Sequence, residues 1–346
     1  MTASRQQQAV SSKKSGAKQI IKQTLTCLLL TVFLPTLSSA EAQQPMKAPR
    51  VGLLLQGTST SLMTRLEAFQ QGLRERGYVE GKNIALEQRF DDDREERLPA
   101  LAADLIRLRV DIIVAAATPA VKAAKQATAT IPIIIVHSAD PVALGLVASL
   151  ARPGGNVTGL SSASPDYSGK QLELLKEAVP KLSRIAILWN AANPGTAIAF
   201  REMQDAVRVL KLSVQSLEVR RSEDLAPAFK NVPKQRGMGL VTLLDPLVVS
   251  QRARIVELAS ESRLPAIYPT KEFVEAGGLM SFGADLTDSY RRAAIFVDKI
   301  LKGAKPAELP IEYPTKFIFT VNLKTAKQIG LVMPPKMLAM ADKVIR

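Results

Sequence analysis

From residue 50 onward, short apolar runs alternate with stretches in which apolar residues recur every three or four positions. Arg50–Leu55 is apolar after its first residue and is bounded by Gln56-Gly57-Thr58, the pattern of a strand buried on both faces. Leu62, Leu66, Phe69 and Leu73 then define a helix that stops at Gly77. Ile84, Leu86, Gln88 and Phe90 alternate with polar neighbours, so a strand with one wetter face follows. Asp91–Glu96 reads as an acidic, solvated helix start, with Leu98, Leu101, Leu105 and Leu108 as the helix's apolar side. Asp111–Ala116 and Ile131–Val136 are further buried strands, separated by a helix with Thr118 at its N-cap and Pro119 at its first position.

The stretch Ser138–Gly159 ends this first series. Pro141 is placed to open a short helix through Leu144, Val147 and Leu150, and Arg152-Pro-Gly-Gly-Asn is a turn by composition. The alternation then starts again. Helices are expected through Leu172 to Val179, Phe200 to Leu210, Glu223 to Phe229, Val249 to Ser262 and Asp285 to Leu301. Strands are expected at Arg184–Trp189, Ser213–Val219, Gly239–Leu244, Pro265–Tyr268, Gly277–Gly283 and Ile311–Val321. Lys305–Leu309 is a linker, and Leu323–Ile329 and Pro335–Val344 read as terminal helices. Strands alternating with helices imply parallel sheets covered on both faces by right-handed crossovers. Two such series make an α/β protein of two doubly wound parallel-sheet lobes, and Gly277–Gly283 could serve as a second crossing between them after Val157–Leu160.

The segment before residue 50 changes the picture of where the chain works. Arg5, Lys13, Lys14, Lys18 and Lys22 precede a short apolar core, Leu25–Leu37, followed by small-x-small sites ending at Ala40 and Ala42. Residues 1–42 are therefore expected to be a secretory signal peptide, since a spanning helix needs about 20 apolar residues. The one cysteine, Cys27, lies inside it, so the mature chain is expected to form no disulfide. A net charge of +14 falls to +10 without that segment. Basic residues are interspersed with Glu and Asp and form no run interleaved with aromatics, so no nucleic-acid partner is expected.

Ligands of such sheets sit outside the carboxyl ends of the strands. Those ends carry Gln56, Thr58, Thr118, Ser138 and Asp140 in the first series and Asn190, Asn193, Asp245 and Tyr268 in the second. These are the candidate ligand-binding residues. The helix starts at Thr118 and Asn193 suit a carboxylate, Asp140 and Asp245 suit an ammonium group, and Tyr268 suits a side-chain contact. Each polar residue among them also has an ordinary reading as a helix or turn cap. Trp189 lies within its strand pattern and reads as core. The only histidine, His137, ends a buried strand and reads as structural. No nucleophile–base pair, metal-spaced cluster or phosphate loop is recognisable, and Pro153–Gly159 lacks the lysine such a loop needs. A binder without catalytic residues, cofactor or metal is the expectation.

Six segments resemble the periplasmic substrate-binding proteins of ABC transporters, in the group that includes tryptophan-binding relatives. They are Phe69–Ile84 (FQQGLRERGYVEGKNI), Leu98–Leu105, Asp140–Val147, Arg152–Gly159 (RPGGNVTG), Glu275–Ser281 (EAGGLMS) and Asn322–Ala326. The resemblance implies a type I periplasmic-binding fold whose lobes close about a multi-strand hinge. It places residues 281–305 back with 47–158 in lobe 1. Lobe 2 becomes 159–280 plus 306–325, and 326–346 a C-terminal helical tail. It also supports Asn190 and Asp245 as pocket residues and implies a periplasmic monomer delivering an amino acid or related carboxylate to an ABC permease in the inner membrane. Ligand choice is expected to vary in Gln56–Ser61 and Ser161–Ser168. The alternatives on the same scaffold are a ligand-binding partner of a membrane sensor and, less favoured by the missing chemistry, an exported enzyme.

Overall fold

Apolar runs form the parallel strands at the centre of the molecule, and amphipathic stretches form the helices that cover them. The computed structural model describes residues 48–162, 167–232 and 237–346, and Ala48–Arg346 is one compact unit. The expected signal peptide, with Cys27, lies outside the described residues.

The first sheet is built from β1 (Arg50–Leu55), α1 (Ser59–Arg74), β2 (Ala85–Phe90), α2 (Leu98–Arg107), β3 (Ile112–Ala116), α3 (Thr118–Ala127), β4 (Ile133–His137) and β5 (Val157–Gly159). Its five strands run parallel in the order β2-β1-β3-β4-β5. Strands β1, β3 and β4 are buried almost throughout, which is why their sequences are nearly continuous apolar runs.

The second set follows in chain order: α4 (Tyr167–Ala178), β6 (Arg184–Asn190), α5 (Pro194–Val209), β7 (Ser213–Val219), α6 (Leu225–Lys230), β8 (Met238–Thr242), α7 (Pro246–Ser250), α8 (Arg252–Glu261), β9 (Ala266–Tyr268), α9 (Lys271–Glu275) and β10 (Met280–Ala284). The chain ends with α10 (Leu286–Leu301), β11 (Phe317–Asn322), α11 (Leu323–Gln328), α12 (Pro335–Met340) and β12 (Lys343–Ile345). Seven strands form the second sheet, in the order β12-β11-β10-β9-β8-β6-β7. Its pairs are parallel except β10 with β11.

Several expectations are corrected. Pro141–Leu150 is a series of turns and not a helix: Gly145 takes a positive φ of 66°, and Leu146 and Val147 are buried directly. The expected strand Ile311–Val321 begins only at Phe317, because Pro314 cannot donate to a ladder, and Glu312 makes an isolated bridge to Leu160. The tail is not wholly helical. Asp342 exchanges hydrogen bonds with Phe319 (2.9 and 2.7 Å), which docks Lys343–Ile345 as a strand beside β11. The acidic run also divides. Asp91 is buried, its Oδ1 accepting from Gly57 N (2.8 Å) and Asp93 N (3.0 Å), and the helix proper starts at Leu98 after a turn of 3₁₀ helix.

The chain leaves the first sheet after β5 and returns after β10. Residues 281–284 therefore stand in the second sheet, and the return to the first begins with α10. Tyr290, Ala293, Phe296 and Val297 of α10 pack into the same core as Val51, Leu53 and Phe69. Burying each large side chain of that core contributes about 1.5–3 kcal/mol. A Cβ at Gly72 would stand 2.4 Å from the Arg291 carbonyl oxygen, so glycine permits the close crossing of α1 and α10. The third crossing runs through residues 309–317. It is tied to the other two by Glu312 N–Gly159 O (3.0 Å) and Asp285 N–Lys316 O (2.9 Å). Arg292 of α10 grips it through Glu312 (2.5 Å) and the Tyr313 carbonyl (3.1 Å). Phe282, Phe317 and Tyr167 stack beside these crossings, with ring centroids 5.6–6.3 Å apart.

Candidate functional site

The carboxyl ends of the two sheets border one cavity of about 160 Å³, room for on the order of ten water molecules. From the first sheet it is lined by the end of β1 (Gln56), the start of α3 (Thr118) and the end of β4 (His137, Ser138). From the second it is lined by Asn193 and Gly195 at the start of α5 and by Asp245 at the start of α7.

On the first side, Thr118 holds the wall together. Its Oγ1 lies 3.0 Å from Ser138 Oγ and accepts from Ala139 N at 3.2 Å. Thr118 does not cap its helix. The preceding Ala117 occupies that place with φ 77°, an unusual conformation for a residue with a side chain, held by Ala117 N donating to the His137 carbonyl (3.0 Å).

On the second side, Asp245 is 1 % exposed and organises a buried network. Its Oδ1 accepts from Asn190 Nδ2 (3.2 Å), Leu247 N (2.9 Å) and Val248 N (3.4 Å), and its Oδ2 accepts from Asn193 Nδ2 (2.8 Å). Asn193 in turn caps α5 by accepting from Gly195 N (2.8 Å). Burial raises the Asp245 carboxyl above the usual range, against the lowering effect of these donors.

Of the sequence candidates, Gln56, Thr118, Ser138, Asn193 and Asp245 border the cavity. Thr58, Asp140, Asn190 and Tyr268 do not. Thr58 forms a capping box with Ser61 at the start of α1. Asp140 accepts from Val142 N (2.8 Å) and Ala143 N (3.2 Å) in its own turn, and it borders a separate, more open groove. Asn190 spends its side chain on Asp245 and Ala192 N, so it supports the wall from behind. Tyr268 is 1 % exposed and stacks on Phe273 (4.8 Å), because its place in β9 points it into the core under α9 and not toward the cavity. Thr58→Ala is accordingly expected to lower stability in denaturant unfolding by about 1 kcal/mol and to leave ligand affinity within twofold.

Tyr167, which also lines the cavity, lies in the stretch Ser161–Ser168 where ligand choice is expected to vary and of which residues 163–166 lie outside the described residues, but sequence reasoning missed Arg65, Glu202, Glu272, Tyr290 and Phe317, which line it too. Nothing in the local pattern marks them, since they belong to helices and crossings read as structural. His137, taken for a structural residue, also lines it, with its ring centroid 6.4 Å from that of Tyr290. Burial, aided by the charge of Arg65, pushes its imidazole down to about 3, so it is neutral at physiological pH. Arg65 Nη2 reaches Glu272 Oε1 across the cavity at 3.4 Å. Burial tends to raise the Glu272 carboxyl, but the charge of Arg65 beside it helps to hold it below the usual range. The opposite tendency prevails at Glu202, raised by burial and by the charge of Asp140. Leu62, Leu243, Val249 and the Tyr167–Phe317 pair supply the apolar part of the lining. Such a mixture, apolar walls with a few placed polar groups, suits binding of a small molecule. Among the described residues, no group of three or more His, Cys, Asp or Glu side chains could hold a metal ion, and no helix is long and apolar enough to cross a membrane.

Residues 53–345 match the family described as ABC transporter substrate binding protein. A tyrosine-binding protein of Clostridioides difficile strain R20291 is 27 % identical over 291 residues, 82 % of each chain. The crystal structure of an ABC domain from Streptococcus pneumoniae in complex with L-Trp superposes with a TM-score of 0.79 at 26 % identity, covering 86 % of this chain and 99 % of that one. The ligand-free, open structure of a substrate binding protein with adhesive properties from Clostridium difficile gives a TM-score of 0.65 at 26 % identity, with 86 % and 99 % coverage. More distant solute binding proteins share the fold, which is that of the type I periplasmic-binding proteins.

Proposed function

Because the chain belongs to the ABC transporter substrate binding protein family, we propose that it captures an amino acid, with aromatic side chains foremost, between its two sheets and delivers it to an ABC permease. The observation that carries this reading is the cavity at the joined strand ends, lined by the apolar Leu62, Leu243, Val249 and Phe317 and by polar groups from both sheets' sides, Arg65 and Thr118 on one and Asn193 and Asp245 on the other. The relatives that bind tyrosine and tryptophan support the ligand class. The better match to the tryptophan complex (0.79) than to the ligand-free, open structure (0.65) supports a closed arrangement of this chain. In that arrangement a ligand touches both lobes, so binding energy is spent on holding them together. The protein works as a monomer outside the cytoplasm, consistent with the leader-like composition of residues 1–42.

Calorimetric titration of the full set of amino acids into the purified chain tests the proposal. Tryptophan, tyrosine or phenylalanine is expected to bind with a dissociation constant of about 1 μM or tighter. Heat from none of the amino acids would overturn it.

A further inference from the structure

Tyr290 is 0 % exposed and lines the cavity, yet its hydroxyl has no hydrogen-bond partner among the described residues. A buried hydroxyl left unpaired costs free energy, so its presence on a side chain that lines a binding cavity points to a partner that arrives with the ligand. Its surroundings define that partner. The charge of Arg65 is close enough to act on both Tyr290 and His137. Arg65 is itself largely buried, 12 % exposed, and engages Glu272 through one of its guanidinium nitrogens only. His137 is neutral, so Arg65 is the cation of this wall. A group that accepts from a phenol while answering a buried guanidinium is an anion with two acceptor oxygens.

We infer that the wall formed by Arg65 and Tyr290 is the anchor for the ligand's carboxylate, received by the Tyr290 hydroxyl and the guanidinium together. The inference rests on the reading of the cavity as a binding site but not on the ligand's being an amino acid. Glu272 already holds a carboxylate against Arg65, contributed by the second sheet's side of the cavity. The incoming carboxylate takes up the remaining guanidinium donors, and the apolar lining receives the rest of the molecule.

Calorimetry on wild type, Tyr290→Phe and Arg65→Gln distinguishes the outcomes. The probes are tryptophan, tyrosine, their carboxamides and the corresponding arylpropionic acids without an amine. Each variant is expected to bind the acids at least tenfold more weakly and the carboxamides, which keep one acceptor oxygen but no charge, with a clearly smaller loss. Tyr290→Phe should melt at the wild-type temperature or above, since it removes only an unpaired hydroxyl. The inference is overturned if Tyr290→Phe binds the acids as tightly as wild type, or loses acids and carboxamides alike. It is also overturned if the wild type prefers carboxamides to acids. If the wild type binds arylpropionic acids but no amino acid, and Tyr290→Phe weakens that binding, the amino-acid reading fails while the carboxylate anchor stands.

Discussion

Asp245→Ala is expected to lower the unfolding free energy by about 3 kcal/mol and to remove measurable ligand binding. The carboxylate, itself buried, receives two asparagine side chains and two backbone N–H groups of α7. Alanine leaves these donors unpaired and buried, each costing about 1–3 kcal/mol where no water can replace the lost partner. The lost charge is partly compensating, because burial already disfavours the ionised form. The loss of binding follows from geometry: Asn193 is held by Asp245 on one side and caps α5 on the other, so the cavity's second wall loses its fixed shape. Urea unfolding and calorimetry on the same preparation test both parts. A variant with wild-type stability and affinity would remove Asp245 from this role.

Gly195→Val is expected to weaken ligand binding by about a hundredfold, or about 3 kcal/mol, with little change in the melting temperature of the ligand-free chain. Gly195 opens α5 on the second side of the cavity. A Cβ there would stand 2.5 Å from Thr118 Oγ1 and 3.1 Å from Ala139 Cβ on the first side. Thr118 cannot turn away without breaking its bonds to Ser138 and Ala139. A side chain at 195 therefore acts as a wedge that keeps the lobes apart while leaving each lobe's own core untouched. The ligand then loses contacts with one lobe, and closure loses the free energy that drives it. Small-angle scattering with saturating ligand should show a larger radius for the variant than for the wild type. Equal radii and equal affinities would show that this contact does not limit closure.

Local signals carried much of the candidate site. Asn193-Pro194 and Asp245-Pro246 follow strands in the sequence, and the short polar residue before each proline is what a helix start requires. Their places at the cavity follow from the rule that parallel strands present their carboxyl ends on one side. The same composition misleads at Thr58 and Asp140, where the side chain satisfies its own turn and does not border the cavity between the strand ends. A cap and a ligand contact look alike in sequence because both use a short side-chain oxygen.

The order of strands and helices, the division into two α/β halves and the burial of Arg50–Leu55, Ile112–Ala116 and Arg184–Asn190 were determined by the sequence itself. Period-two and helical-period burial are local properties, so each segment carries its own signal. Tertiary structure alone decided which side chains meet across the cavity. Arg65 and Glu272 lie 207 residues apart, on helices whose patterns show only which face is apolar. Tyr290 reaches the first wall because α10 returns from the second sheet to pack on α1, a step dictated by the crossing geometry and by the room that Gly72 leaves. The docking of Lys343–Ile345 as a strand was likewise decided by contact with β11, since three residues carry too little pattern to choose a state without a partner.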